Sequence, residues 1–200
     1  MQKIILASQS PRRKQLLEWA EVPFDIVVKS TEETYPESLA LDEIPIHIAR
    51  QKAIAVKNLL VEAGETNVES RTILAADTIV VLNGRVIGKP VDRQDAINTL
   101  ASLSGSTHKV ITGVVIQRGD KETAFSDITS VQFHKLTINQ IEFYVDKYKP
   151  YDKAGAYAIQ EWIGVIGIKS VTGDFYNVMG LPVSRVVQEL QMLKVGDGLN

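Results

Sequence analysis

The segment Arg71–Leu82 is mostly apolar and predicts a buried β-strand. Asn83-Gly84 follows it directly, and this dipeptide is the preferred two-residue turn of a β-hairpin. Arg85–Gly88 is then expected to return as the partner strand. The chain must therefore build a sheet around a buried strand that ends in a hairpin.

Helical and strand patterns alternate irregularly through the rest of the chain. Ser10-Pro11, Asp92 with Asp95, and Thr137 with Gln140 are helix-start signals, and Gly64 and Gly105 are helix-stop signals. This pattern predicts an α/β fold with a mixed, twisted sheet and flanking helices, formed by one domain over residues 1–200. The further strands are expected at Lys3–Ala7, Phe24–Val28, His108–Gln117 and Thr123–Phe133, and the helices at Pro11–Glu21, Glu43–Ala63, Arg93–Leu103, Thr137–Asp146 and Pro182–Leu193. Two more apolar segments, Trp162–Val171 and Phe175–Val178, flank a Thr-Gly-Asp turn.

Composition excludes several functional classes. Hydrophobic residues make up 44% of the 200 residues and charged residues 23%, as in ordinary globular proteins. The absence of cysteine excludes a disulfide scaffold, a cysteine nucleophile and a thiolate metal site. A net charge of −2 provides no basic field for nucleic acid, so no nucleic-acid partner is expected.

The sequence also lacks recognisable targeting signals. The apolar run at Ile4–Ala7 stops at Ser8-Gln9-Ser10, which is too short for a signal peptide. No stretch approaches the roughly 20 apolar residues of a membrane span. We therefore expect a cytoplasmic protein without membrane contact.

Asp77 is the main candidate for chemistry because it interrupts the apolar strand. Burying a carboxylate is costly unless it is paired, hydrogen-bonded or bound to a metal. Burial also raises the pKa of a carboxyl group, which suits a general base. The alternative is an aspartate that caps a turn at the end of the strand.

A second candidate lies at the start of the first helix, where Ser10 and Pro11 precede Arg12 and Arg13. Cations in a first helical turn oppose the helix dipole by about 0.3–1 kcal/mol each. Together with the backbone N–H groups they form a site for phosphate or carboxylate. The alternative is a solvated start of an exposed helix.

Other charged residues are weaker candidates. Lys52 lies four residues from both Ile48 and Val56, on the apolar side of its helix, and Lys89 stands between Gly88 and Pro90. Either lysine could instead extend its stem along the edge of the core. Glu33, with Glu32, becomes of interest only as an oxygen ligand for Mg²⁺.

Familiar catalytic motifs are missing. The sequence has no GxxxxGK[ST] loop, no G-x-G-x-x-G after a strand and no H-E-x-x-H, and its three histidines are scattered. The remaining inventory is Arg, Lys, Asp and Glu without an evident nucleophile. It indicates metal-assisted hydrolysis of a polyanion by water.

Six motifs, in order and spanning Lys3–Leu193, resemble the Maf-like nucleoside triphosphate pyrophosphatases, historically called septum formation inhibitors. They are Leu6-Ala7-Ser8-Gln9-Ser10-Pro11-Arg12-Arg13, Ala76-Asp77-Thr78, Gly88-Lys89-Pro90, Ser104-Gly105-Ser106-Thr107-His108, Asp152-Lys153-Ala154-Gly155-Ala156-Tyr157-Ala158-Ile159-Gln160 and Val178-Met179-Gly180-Leu181-Pro182. Ala158 departs from the glycine common at that position. The resemblance implies an α/β fold of two lobes about a cleft, and a cytoplasmic homodimer.

The resemblance also implies an activity: hydrolysis between the α- and β-phosphates of a nucleoside triphosphate, with Mg²⁺ or Mn²⁺ as cofactor. Asp77 falls on the family's proton acceptor. Arg12, Thr78 and Gln160 occupy the positions that separate the subfamilies and match the branch acting on dTTP and UTP, normal or modified in the base. The sister branch, acting on 7-methyl-GTP, typically has Trp, Gln and Glu there.

These considerations assign a role to each candidate. Glu33 and Asp77 are expected to hold or orient a metal-bound water, and Asp77 to take its proton. Thr78 and Gln160, with Arg12, are expected to select the base. Phosphate binding is expected from Ser8, Arg12, Arg13, Lys52 and Lys89.

Two rival hypotheses remain open at this point. One is a nucleotide-binding regulator of cell division without catalysis, in which a water-activating carboxylate would be unnecessary. The other is a pyrophosphatase of the same fold acting on inosine or 7-methylguanosine triphosphates.

Overall fold

The computed structural model of the protein describes residues 2–197, and the side chains of residues 2–193. These residues divide into two compact units. The first unit runs to Asp77 and resumes over Thr112–Asp127 and from Gly180 onwards. The second unit consists of Thr78–Ile111 and Ile128–Met179.

Within the described residues seven strands form a mixed sheet, which confirms the predicted α/β fold. Its order is β2-β1-β3-β5-β6-β7, with β4 paired to β3. β1 is parallel to β2 and β3, whereas β4 is antiparallel to β3 and β7 antiparallel to β6. The strands are β1 (Ile4–Leu6), β2 (Phe24–Ile26), β3 (Ile73–Leu82), β4 (Arg85–Ile87), β5 (Thr107–Arg118), β6 (Lys121–Phe133) and β7 (Ile168–Thr172).

The described residues form seven α-helices, and five of them were predicted. They are α1 (Pro11–Trp19), α2 (Ile44–Glu62), α3 (Arg93–Leu103), α4 (Ile138–Tyr148), α5 (Trp162–Gly167), α6 (Phe175–Val178) and α7 (Val183–Asp197). Asp92 caps α3 through the N–H of Asp95, and Thr137 and Gln140 form the predicted capping box of α4. None of these helices combines the length and apolar content that crossing a bilayer would require.

The segment between Trp162 and Val178 contains elements that local pattern did not resolve. The first apolar stretch divides into α5 and β7, and the second is the single-turn helix α6. β7 pairs with residues 130–133 of β6, with a register irregularity at Gln132 and Phe133. This distant pairing, which sequence periodicity does not contain, decides where the helix ends and the strand begins.

The core of the first unit packs α2 against one face of β1 and β3. Buried side chains of this cluster include Ala49, Ala53, Val56, Ile73 and Ala75. β5 closes on the start of α2, where a Cβ atom on Gly113 would lie 2.2 Å from the backbone nitrogen of Ile46. Only glycine permits this approach, which fixes the position of the helix that carries Lys52.

Candidate functional site

The carboxyl end of β1 and the middle of its parallel neighbour β3 position the site in the first unit. Leu6 of β1 is in register with Leu74 of β3, so Asp77 lies three residues beyond the end of β1. Ser8 follows β1 at this same edge and leads into α1. In open α/β sheets, ligand sites form outside the carboxyl ends of the strands.

Lys52 joins the two acidic candidates. Its Nζ lies 2.6 Å from Asp77 Oδ1 and 2.8 Å from Glu33 Oε1. Side-chain alternation places Asp77 on the face of β3 that carries Ile73 and Ala75, which is the face covered by α2. The predicted position of Lys52 on the inner side of its helix is confirmed, and it brings a strand, a helix and the loop after β2 together.

Asp77 is the buried member of this group. The residue is only 8% exposed, which confirms that its carboxylate lies within the strand interior and does not cap a turn. Burial raises the pKa of Asp77 above its ordinary value, although Lys52 and Arg13 act in the opposite direction. A carboxylate with a raised pKa is a stronger proton acceptor.

The second cationic residue of the site is Arg13, and it is buried. Its Nε donates to the carbonyl of Gly180 at 2.8 Å, and one terminal nitrogen donates to Ser8 Oγ at 3.1 Å. The pKa of Arg13 is lowered from its ordinary value, because desolvation outweighs the opposite effect of the Asp77 and Glu33 charges. The prediction that both arginines lie in the first turn of α1 is confirmed, with Arg12 half-buried.

The start of α1 differs from expectation in one detail. Ser10 occupies the N-cap position, as predicted, but its side chain makes no capping hydrogen bond. Instead, the N–H of Ser10 donates to Ser8 Oγ at 3.2 Å. Ser8, which is also buried, thus organises the turn and Arg13 together.

Sequence reasoning missed the carbonyl of Gly180, which fixes the Arg13 guanidinium through a contact 167 positions along the chain. The only sequence signal for it was the motif Val178–Pro182, to which no role was assigned. The residue belongs to the first unit although it follows the second in sequence.

Three of the predicted residues belong to the second unit. Thr78 follows Asp77 in β3 and is half-buried, and strand alternation places its side chain on the opposite face of the sheet. Lys89 and Gln160 are exposed. The N–H of Gly155 donates to the carbonyl of Gly88 at 3.1 Å, and so ties the loop before Gln160 to the segment that carries Lys89.

Tyr157 anchors the same loop. Its hydroxyl lies 2.7 Å from His108 Nε2, and both residues are buried. The two rings pack edge to face with each other and with Phe133. Burial lowers the pKa of His108 to about 4 from its ordinary 6.5, so the folded protein holds the neutral imidazole.

His108 should therefore make stability depend on pH. Because its pKa is depressed in the folded state, the unfolded state binds more protons between pH 6.5 and 4. Its contribution is present above pH 6.5 and is lost as pH falls toward 4, by up to about 3 kcal/mol of unfolding free energy. Urea unfolding at pH 7 and pH 4.5 measures the difference.

The variants His108→Gln and His134→Gln provide the comparison. The first removes the buried titrating ring, so its unfolding free energy should change less between the two pH values. The second removes an exposed ring and should behave like the parent protein. If His108→Gln retained the parent's pH dependence, the effect would belong to other groups.

The acidic side chains of the site are the candidates for holding a metal ion. No group of three or more His, Cys, Asp and Glu side chains that could hold a metal ion occurs among the described residues. Glu33 and Asp77 nevertheless direct one oxygen each at a single cationic atom, Lys52 Nζ. Mg²⁺ commonly takes only one or two protein carboxylates when phosphates and waters supply the rest.

Comparison with known proteins identifies the family of the chain. The family model described as Maf-like protein matches residues 3–193. A dTTP/UTP pyrophosphatase of Cytophaga hutchinsonii is 50% identical over 190 residues, covering 95% of this chain and 84% of the relative. Proteins of the same name from Parabacteroides distasonis and Phocaeicola vulgatus are 48% and 47% identical, covering 94% and 96% of this chain and 95% and 96% of theirs. The motifs of the sequence, the mixed sheet and these matches over nearly the whole chain agree, and the protein belongs to the Maf family.

Proposed function

We propose that this protein hydrolyses dTTP and UTP to the nucleoside monophosphate and pyrophosphate. The names of relatives that are 47–50% identical support these substrates. The observation that carries the chemistry is the buried Asp77 carboxylate, held by Lys52 in the middle of β3, just beyond the carboxyl end of β1. The described residues around it supply a proton acceptor and cations, a set that suits attack by water.

In this proposal Asp77 accepts the proton of the attacking water. The water oxygen forms a bond to the α-phosphorus, and the bond from that phosphorus to the bridging oxygen breaks. Pyrophosphate leaves with the electron pair. Lys52 holds Oδ1 of Asp77, which orients the carboxylate before the proton is transferred.

The cations of the first unit would neutralise the charge on the triphosphate. Arg13 is fixed by hydrogen bonds to Ser8 and Gly180, so holding it against a phosphate would cost little side-chain entropy. Arg12 lies in the first turn of α1, and Ser8 lies in the segment that leads into it. From the second unit, Lys89 is proposed to contribute a further cation.

Glu33 and Asp77 are proposed to hold a divalent cation. Two carboxylate oxygens that converge on one cationic atom fit a hard cation that completes its shell with phosphates and water. When bound, Mg²⁺ or Mn²⁺ would polarise a phosphoryl oxygen and favour ionisation of the attacking water. The protein residues supply the orientation and the proton acceptor.

Arg12, Thr78 and Gln160 are proposed to select the base. A glutamine amide offers both a donor and an acceptor, which suits the imide face of uracil or thymine. A single family match over residues 3–193 supports the interpretation that both units form one domain. The family resemblance also supports a cytoplasmic homodimer that acts on free nucleotides.

The test is pyrophosphate release from dTTP, UTP, CTP, ITP and 7-methyl-GTP, with Mg²⁺ or Mn²⁺. We expect release from dTTP and UTP well above the others. Release mainly from ITP or 7-methyl-GTP would replace the proposed substrates. Binding of a nucleotide without any release would instead favour a non-catalytic regulator.

A further inference from the structure

Gln160 lies in a turn that is unusually well fixed for an exposed residue. The N–H of Glu161 donates to the carbonyl of Ala158 at 3.1 Å, so Ala158–Glu161 form a β-turn with Ile159 and Gln160 at its two central positions. The turn continues into α5, where the N–H of Gly164 donates to the carbonyl of Glu161 at 2.9 Å. Two backbone hydrogen bonds thus restrain the segment that carries Gln160.

The hydroxyl of Tyr144, a residue of α4, forms hydrogen bonds to both ends of this turn. It accepts a hydrogen bond from the N–H of Ala158 at 3.2 Å and donates one to Glu161 Oε2. Tyr144 is fully buried, and its ring stacks on Tyr148. One hydroxyl group therefore fixes the residues on either side of Ile159 and Gln160.

Two other features hold the turn from its remaining sides. Lys153, which is buried, places its Nζ 3.7 Å from Glu161 Oε1 and 2.7 Å from Asp152 Oδ1. A Cβ atom on Gly164 would lie 1.7 Å from the carbonyl oxygen of Ile159, so the first turn of α5 packs directly on the backbone preceding Gln160. All of these residues belong to the second unit.

We propose that Tyr144 and Glu161 are positioning residues for base selection, acting through Gln160. This inference rests on the proposed function, in which Gln160 recognises the uracil or thymine imide. A side-chain amide discriminates between bases only when its donor and acceptor are held in one orientation. The hydroxyl and the carboxylate fix the backbone turn from which the Gln160 side chain extends, and so limit the positions that its amide can take toward the base.

The first test compares Tyr144→Phe with the parent protein, using kcat/KM for UTP and CTP from the same preparation. The substitution retains the stacked ring and removes only the hydroxyl. We expect the UTP-to-CTP ratio of kcat/KM to fall about three- to tenfold, the range for one hydrogen bond. A merely structural effect would lower the active fraction of the enzyme, which scales both values equally and leaves the ratio unchanged.

Tyr148→Phe is the matched control. It removes a hydroxyl from the same helix and the same stacked pair of rings, and no hydrogen bond of that hydroxyl to the described residues is seen in the structure. Its UTP-to-CTP ratio should equal that of the parent. An equal fall in both variants would overturn the proposal, since the effect would then come from ring packing.

Gln160→Ala separates this inference from the proposed function on which it rests. If Gln160→Ala lowers the ratio and Tyr144→Phe does not, the positioning role is wrong while base selection by Gln160 stands. If Gln160→Ala leaves the ratio unchanged, base selection by Gln160 fails and the positioning role fails with it. Tyr144→Phe added to Gln160→Ala should lower the ratio no further, because the hydroxyl acts through that side chain. An additive loss would contradict the inference.

Glu161 provides an independent pair of variants should Tyr144→Phe fold poorly. Glu161→Ala removes the acceptor of the Tyr144 hydroxyl and should lower the ratio. Glu161→Gln retains an acceptor oxygen there and should recover most of it. Equal ratios for Glu161→Ala and the parent would overturn the role of the carboxylate.

Discussion

Asp77→Asn is expected to lower kcat for UTP hydrolysis by about 10²- to 10⁴-fold, the usual contribution of a general base. The amide matches the carboxylate in shape but cannot take the proton of the attacking water. Pyrophosphate release under saturating UTP measures the effect. Nucleotide binding should change less than kcat, because the phosphate-binding cations remain in place.

The fold should tolerate this substitution. Desolvation raises the pKa of Asp77, which means that the folded state already disfavours its charge. A neutral amide removes that penalty, while Lys52 keeps its contact with Glu33 at 2.8 Å. We expect the unfolding free energy to stay within about 1 kcal/mol of the parent.

Glu122→Gln is the matched control for Asp77→Asn. Glu122 also forms a close ion pair in the first unit, with the guanidinium of Arg50 at 2.8 Å. This ion pair is substantially exposed and lies outside the site. The control should retain parental activity. If Asp77→Asn retained most of its activity, Asp77 would not be the proton acceptor.

The burial of Asp77 could be predicted because its reason is local. A carboxylate in a strand of ten mainly apolar residues is buried together with its neighbours. The structure accordingly places Asp77 in the strand interior. The capping box of α4 was predictable for the same reason, since both of its hydrogen bonds join residues three positions apart. Lys52 was predictable only as far as its side of the helix.

The partners of these residues could not be predicted. The contacts of Lys52 span 19 and 25 positions, and that of Arg13 with Gly180 spans 167. Tyr144 contacts Glu161 only because α4 packs beside the β-turn Ala158–Glu161. Periodicity and capping rules describe residues that are close in sequence. These contacts depend instead on how distant strands, helices and loops pack in the folded protein.

The helix-start pattern alone did not distinguish Arg12 from Arg13, and only the family resemblance gave Arg12 a separate role in base selection. The structure buries Arg13 against Ser8 and Gly180 and leaves Arg12 half-buried. Adjacent residues on a helix point about 100° apart, so only one of the two can face the end of β1. The choice between them depends on how α1 is rotated against the sheet, and the sequence of α1 does not specify this rotation.

Lys52→Met should abolish most of the activity and also destabilise the protein, which distinguishes it from Asp77→Asn. The substitution keeps much of the side-chain volume but removes the cation between Asp77 and Glu33, whose side chains are 11% and 42% exposed. Removing one partner of a buried ion pair leaves an uncompensated charge. Because this pair retains some exposure, we expect a loss of about 2 kcal/mol, below the range for full burial.

Two further variants make the expectation specific to the Asp77 charge. Lys57→Met removes a cation from the same helix, but Lys57 pairs with Glu69, whose side chain is 66% exposed, so the cost should be below about 1 kcal/mol. The double variant Lys52→Met, Asp77→Asn should recover most of the lost stability while remaining inactive, because it removes the stranded carboxylate. Urea unfolding of the parent, the two single lysine variants and the double variant at pH 7 measures these differences. If Lys52→Met cost no more than Lys57→Met, or if the double variant recovered nothing, Lys52 would not be what makes a charged Asp77 tolerable at this position.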